Sequence, residues 1–171
     1  LRQRTFNWVY EKDARVGDTQ TDPIAVALDP GVVSFFTFFS PTHGVGHIGR
    51  HDIQKIVRIS LYLDRLVSAT TFAPAKKKCN MRCAQARVRN RIRNLVDEVH
   101  KKVALWLVQT FDIIVFPTFR STEMSLRRPS RKIGSKTVRK MMTWAHGRFL
   151  DRLKNKAEEC GKSVVVLPSE A

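Results

Sequence analysis

The sequence predicts an α/β domain built on a mixed five-stranded sheet. Three observations lead there. Five short runs rich in apolar and β-branched residues are bounded by turn signals. Three longer stretches repeat apolar residues every third or fourth position, the period of a helix. The first three short runs follow one another closely, whereas the last two are each reached through helical segments.

Residues 1–22 are polar and mixed in charge. Phe6, Trp8, Val9 and Tyr10 predict one short strand of a preceding unit, and Asp18 to Pro23 reads as a linker, so a boundary is expected near residue 22. Ile24 to Leu28 is a continuous apolar run, as in a strand buried on both faces. Asp29-Pro30-Gly31 ends it with a strong turn signal. Val32 to Phe39 is a second strand, Ser40 to Gly44 a turn, and Val45 to Ile48 a third strand, together an antiparallel meander. Ile53, Ile56, Val57, Leu61, Leu63, Leu66 and Val67 then predict a helix of about four turns. A longer helix covers 75–110, with a stripe of Val88, Ile92, Leu95, Val96, Val99, Val103 and Leu107. Phe111 to Phe116 is strand-like and halted by Pro117. Helix resumes near Thr137 with a stripe of Met142, Ala145, Phe149, Leu153, Ala157 and Cys160, and Gly161 is its C-cap. Val164 to Leu167 is the last strand.

Strands reached through helical crossovers lie parallel to the strand they follow. The order β-β-β-α-α-β-α-β is therefore the plan of an RNase H-like domain, with helices expected on both faces of the sheet.

Charge narrows the function. Thirty-one Lys and Arg against 15 Asp and Glu give +16. Such a domain meets a polyanion, and nucleic acid is the common case. Lys76, Lys77, Lys78, Arg82, Arg87, Arg89, Arg91 and Arg93 crowd the first half of the long helix, a face able to follow a phosphate backbone. Arg120, Arg127, Arg128, Arg131, Lys132 and Lys136 make a basic loop after the fourth strand. Lys76 to Lys78 also fit a nuclear localisation signal. No run of eighteen apolar residues and no signal peptide is present. Cys79, Cys83 and Cys160 form no Cys-x-x-Cys pair, so neither a disulfide framework nor a zinc site is expected.

Catalytic groups in such sheets gather at the carboxyl ends of the strands. Strand 1 ends at Asp29, strand 4 at Pro117 and strand 5 near Glu170. Asp-Pro-Gly is also an ordinary turn, so Asp29 has both readings. Two-ion phosphodiester cleavage needs three or four carboxylates around ions roughly 3.5–4 Å apart, and hard oxygen ligands suit Mg²⁺ or Mn²⁺. Asp29 and Glu170 would approach if strands 1 and 5 bring their ends together, which leaves the count one short. His43, His47 and His51 are spaced by four and admit a metal reading, and His146 reads as a packing or hydrogen-bonding residue beside the core residues Trp144 and Phe149.

Several of these segments resemble one family. Val26-Ala27-Leu28-Asp29-Pro30-Gly31-Val32 is similar to the first nuclease motif of the TnpB proteins and their eukaryotic relatives, the Fanzor proteins. Ile92 to Ala104 resembles their long helix. Phe116 to Phe119 with Thr122-Glu123-Met124 resembles the Fanzor strand-4 region, and Lys136 to Arg139 with Trp144 to Phe149 the following helix. The likeness runs from about residue 24 to 171. It implies a RuvC-like nuclease domain, 23–171, of a transposon-encoded RNA-guided DNA endonuclease that uses two Mg²⁺ ions and binds DNA and a guide RNA. Asp29 matches the first catalytic Asp. Pro117 stands where many TnpB proteins carry their Glu. Fanzor proteins use a displaced Glu, and Ser169-Glu170-Ala171 matches its lead-in, ahead of the alternatives Glu158, Glu159 and Glu123. The family continues into a four-Cys zinc ribbon and a third catalytic Asp, while its wedge domain precedes residue 23. With Leu1 rather than Met first, the chain is expected to be an internal piece or a truncated copy, inactive alone. The Fanzor-like features imply a nuclear parent; otherwise the cytoplasm or nucleoid is expected. A non-catalytic nucleic-acid-binding remnant and a basic structural protein are the competing readings.

Overall fold

The alternation of burial along β1 (Ala25–Pro30) sets the architecture. Val26 and Leu28 are buried, whereas Ala27 and Asp29, on the opposite face, are exposed. The computed structural model describes residues 23–50, 52–119 and 134–168. Its sheet has the order β3-β2-β1-β4-β5, with β2 (Phe36–Ser40), β3 (Gly44–Ile48), β4 (Ile113–Pro117) and β5 (Ser163–Leu167). β1, β2 and β3 pair antiparallel, and β1, β4 and β5 pair parallel, as the meander and crossovers predict. The chain is thus an α/β domain on a mixed five-stranded sheet. The expected strand at residues 6–10 and the boundary near residue 22 lie outside the described residues.

The helices do not cover both faces. Val26, Leu28, Phe36, Phe38, Ile48, Ile114 and Phe116 share one core with residues from all the described helices. The other face is open: Val45, Phe39, Ala27, Val115 and Val165 form a lateral row in register across all five strands. Val45, Phe39 and Val165 are about half exposed. The cause is topological. From β1 the parallel strands are added in one direction, β4 then β5, and right-handed crossovers laid in one direction fall on one side. β1 is accordingly buried on one face only, and its run of small apolar residues hid the alternation.

The helices are α1 (Asp52–Phe72), α2 (Ala75–Thr110), α3 (Ser135–Trp144) and α4 (His146–Glu159). α2 has 36 residues, about 54 Å of helix, far longer than the sheet it crosses. Its residues enter the core from Val96 to Val108, while α1 contributes Ile53 and Ile56 from its first turns. The rest of α1 and the first half of α2 form a two-helix arm, closed by Gln85 donating from Nε2 to Thr70 Oγ1 at 2.7 Å. Leu61, Tyr62, Val67 and Phe72 are exposed on that arm, so the predicted apolar stripe of α1 is core only at its start.

The predicted single helix after Thr137 is two. Ala145 has φ 49°, in the left-handed region, and breaks it. The break rotates the buried stripe: Met141 and Trp144 are buried before it, and His146, Phe149, Leu153 and Ala157 after it, while Met142 and Cys160 are exposed. Gly161, at φ 64°, ends α4 as predicted, with Lys162 N–H bonded to the Ala157 carbonyl at 2.8 Å. At the amino edge of the sheet, Asp112 ties three strands. Its carboxylate accepts from Ile24 N at 2.9 Å and Lys162 Nζ at 2.6 Å, and its carbonyl accepts from Ser163 N at 2.9 Å.

A non-glycine residue at φ 49° is strained by about 1 kcal/mol. Ala145→Gly is expected to raise unfolding free energy by roughly 0.5–1 kcal/mol in urea titrations, whereas Leu107→Ala, which empties a fully buried site, should lower it by about 2–5 kcal/mol.

Candidate nucleic-acid site

Asp29 stands at the carboxyl edge of the central strand, where the order changes from hairpin neighbours on one side to crossover neighbours on the other. Ligands bind at such points because the loops diverge there. Its register partner on β2 is Thr37, whose own partner on β3 is His47. Thr37 Oγ1 and His47 Nδ1 lie 3.1 Å apart. On the other side, Ala27 pairs with Val115, so the same register carried on sets Asp29 beside Pro117, which pairs with Leu167. Asp29 is exposed, and among the described residues no donor or cation engages its carboxylate.

β4 lies between β1 and β5, so the strand ends expected to bring Asp29 and Glu170 together are not neighbours. Two strand spacings, about 10 Å, separate Asp29 from the β5 line. Glu170 itself lies outside the described residues, as do Glu123, Arg120, Arg127, Arg128, Arg131, Lys132 and His51. Glu158 and Glu159 follow α4 down to the amino edge, opposite Asp29, and Glu159 pairs with Lys156 at 2.8 Å. No group of three or more His, Cys, Asp or Glu able to hold a metal occurs among the described residues. His43 and His47 sit at opposite ends of β3: His43 bonds Thr42 and packs edge-on to Phe111, so the two do not converge as a metal reading requires.

α2 runs antiparallel to β4, which it feeds through Phe111 at the amino edge. Its first half, with Lys76, Lys77, Lys78, Arg82, Arg87, Arg89, Arg91 and Arg93, therefore extends toward the carboxyl edge and past it. There is no acidic residue from Ala75 to Val96. Arg89 donates to Gln85, and none of these cations has a carboxylate partner among the described residues. The arm is held to the body by Arg139, whose Nη2 donates to Asp64 Oδ1 at 2.8 Å and which thereby lowers the Asp64 pKa. Cys79 and Cys83 are exposed free thiols on the arm.

Beneath the β1–β2 loop lies a nest that the sequence showed only as packing. The Phe35 ring stacks against both His100 and His146, each 5.1 Å away. His100 Nε2 is 2.8 Å from the Trp144 carbonyl, which it meets as an N–H donor. His100 Nδ1, Trp144 Nε1 and both ring nitrogens of His146 are buried without a hydrogen bond. Burial is the main cause that pushes His100 and His146 down to about 4; Trp144 and Gly31 backbone groups oppose it. Both imidazoles are therefore neutral near pH 7.

No family model matches the chain. The chain is similar to a viral transposase. That relative, named "Putative transposase A625R", comes from Paramecium bursaria Chlorella virus 1 and is 28% identical over 159 residues, 91% of this chain. The chain spans about a third of the relative's length (35%). The likeness makes the chain transposase-related. Among the described residues no helix is long and apolar enough to cross a membrane.

The two buried histidines have a pH consequence. Their native pKa values near 4 lie below the unfolded value of about 6.5. Between those limits the unfolded chain binds protons that the native chain refuses. Stability is thus complete above about pH 6.5 and is lost as pH falls toward 4, by on the order of 2–3 kcal/mol per histidine at the limit. Urea titrations at pH 7.5, 6, 5 and 4.5 should show this fall, and a flat series would overturn the assignment of both rings as neutral.

Proposed function

We propose that the chain is the RuvC-like nuclease domain of a transposon-encoded, RNA-guided DNA endonuclease of the TnpB and Fanzor type. The observation that carries the reading is Asp29: an exposed carboxylate without a partner among the described residues, at the carboxyl edge of the central strand and beside the reversal in strand order. Packing gives no reason to leave it there. An RNase H-like assignment draws support from the meander followed by two parallel strands, and a transposon origin from the viral relative.

Asp29 is the right chemistry for Mg²⁺, a hard oxygen donor open to solvent. It does not suffice alone. Glu170 follows Leu167 by three residues, which reach up to about 10 Å, the distance across β4 to Asp29. Asp29 and Glu170 would hold the metal, and a bound pair of ions would supply an activated water and charge neutralisation at the scissile phosphate. The chain's own part is different. The unpaired cations of the α1–α2 arm, Lys76 to Lys78 with Arg82, Arg87, Arg89 and Arg93, and Arg127, Arg128, Arg131 and Lys132 of the following loop contact the phosphates of DNA and guide RNA. Such contacts hold the strands in register without reading bases. Localisation follows the parent, nuclear in a eukaryote and otherwise cytoplasmic or nucleoid, and zinc belongs to a ribbon beyond Ala171.

A non-catalytic nucleic-acid-binding remnant is the second reading. It is favoured by Pro117, which brings no carboxylate to the neighbouring strand end, and by the lack of any three-ligand group among the described residues. The two readings differ in the metal. Mn²⁺ binding to the full 171-residue chain, followed by electron paramagnetic resonance, is expected for the nuclease reading and should be abolished by Asp29→Asn and weakened by Glu170→Gln. Cleavage of DNA by this chain alone is not expected, because the third carboxylate is missing; Mg²⁺-dependent nicking that vanishes in Asp29→Ala would correct that expectation.

Phosphate binding by the arm predicts a steep dependence of affinity on salt. Replacing Arg82 and Arg89 with Ala should reduce the slope of log K against log[salt] by about 1.4–1.8, since each phosphate left without its arginine lowers it by roughly 0.7–0.9. An unchanged slope would remove the arm from the interface.

A further inference from the structure

His146 is an expensive residue where it stands. It is fully buried, and neither ring nitrogen has a hydrogen bond. A buried polar group without a partner costs about 1–3 kcal/mol, and a phenylalanine of similar shape would avoid that cost. It also follows Ala145, whose left-handed backbone swings the α3–α4 corner so that residue 146 points into the core.

The neighbours of His146 suggest what the imidazole does there. Its ring stacks on Phe35, meets Phe36 edge-on at 5.3 Å and meets Phe119 edge-on at 5.1 Å. Phe35 closes the β1–β2 loop, since its carbonyl accepts from Gly31 N at 3.2 Å and its N–H donates to the Ile48 carbonyl at 2.7 Å. Phe119 lies just past β4. One side chain thus touches both segments that leave the carboxyl edge around Asp29. The Gly31 backbone faces the same ring. Gly31 has little room to move otherwise: a Cβ there would sit 2.6 Å from the Ser34 carbonyl oxygen.

We infer that His146 is a positioning residue for Asp29, its neutral ring N–H aimed at the Gly31 carbonyl so that the Asp29-Pro30-Gly31 turn is held in one orientation. This rests on the reading of Asp29 as a metal ligand. The inference explains the choice of imidazole over an apolar ring. Phenylalanine fills the space but has no N–H, and the turn would then be held by packing alone. Because His146 faces Gly31, two residues along the chain from the carboxylate, it acts through the backbone and touches no substrate.

The test is Mn²⁺ binding to the 171-residue chain by electron paramagnetic resonance, with thermal unfolding of each variant alongside. His146→Phe is expected to keep or raise the melting temperature and to weaken Mn²⁺ binding by roughly 10–100-fold, the usual loss when a group behind a metal ligand is removed. His146→Gln, which restores an N–H donor, should recover most of that affinity. A folded His146→Phe with wild-type affinity overturns the inference and leaves Asp29 as a ligand. Wild-type affinity in Asp29→Asn, or no Mn²⁺ binding by the wild type, removes the metal reading itself and this inference with it. If His146→Phe does not fold, the wild-type imidazole ¹⁵N spectrum decides. A His146 N–H signal protected from exchange and shifted on adding Mg²⁺ supports the role, and an exchanging or unshifted one overturns it.

Discussion

The parallel pairing of β1 with β4 is the constraint on which the rest of this molecule depends. Parallel strands cannot be joined by a tight turn, so the chain must leave the sheet, cross one face and return. α1 and α2 are that crossing. The second parallel step, β4 to β5, goes the same way round and lays α3 and α4 on the same side. One face is therefore filled with the rings of Phe36, Phe116, Phe149 and Trp144 around Phe35, and the other is left as an open apolar row. The pairing also sets Asp29 and Pro117 side by side at one edge, and the Asp112 clamp at the other edge keeps the three parallel strands in that register.

Charge is distributed in a way that stability alone does not require. Several carboxylates are matched within the body: Asp64 with Arg139, Asp112 with Lys162, Glu98 with Lys102, and Asp97 with Arg148 at 3.1 Å and Arg152 at 3.5 Å. These pairs are largely exposed and contribute little individually. What they do is consume the acidic residues near the core, while the first half of α2 keeps its cations free of carboxylates among the described residues. Asp29 is the reverse case, an acid without a cation. An unpaired acid at a strand edge and a run of unpaired bases on an arm leaving the same edge suit a site that receives its counter-charge from outside: metal for one, phosphate for the other.

The elements were legible in the sequence because periodicity is a local property. The three-strand meander, the 75–110 helix and the Gly161 cap follow from spacing and turn residues that neighbouring positions decide. The two misreadings came from elsewhere. Alanines at 25 and 27 read as apolar, yet Ala27 faces solvent, since a methyl group is as cheap outside as inside. The corner at Ala145 carries no glycine or proline to announce it; packing of Trp144 and His146 on the Phe35 ring imposes it.

By itself, the sequence determined the strand and helix order, the basic first half of α2 and Asp29 as the carboxylate that ends the first strand, because each depends on residues close in the chain. The tertiary structure decided which face the helices cover, that β4 separates Asp29 from the β5 line, that His43 and His47 stand at opposite ends of one strand, and that His146 sits under the Asp29 turn. These depend on the direction in which strands are added and on packing between residues as far apart as Phe35 and His146, about which a local pattern carries no information.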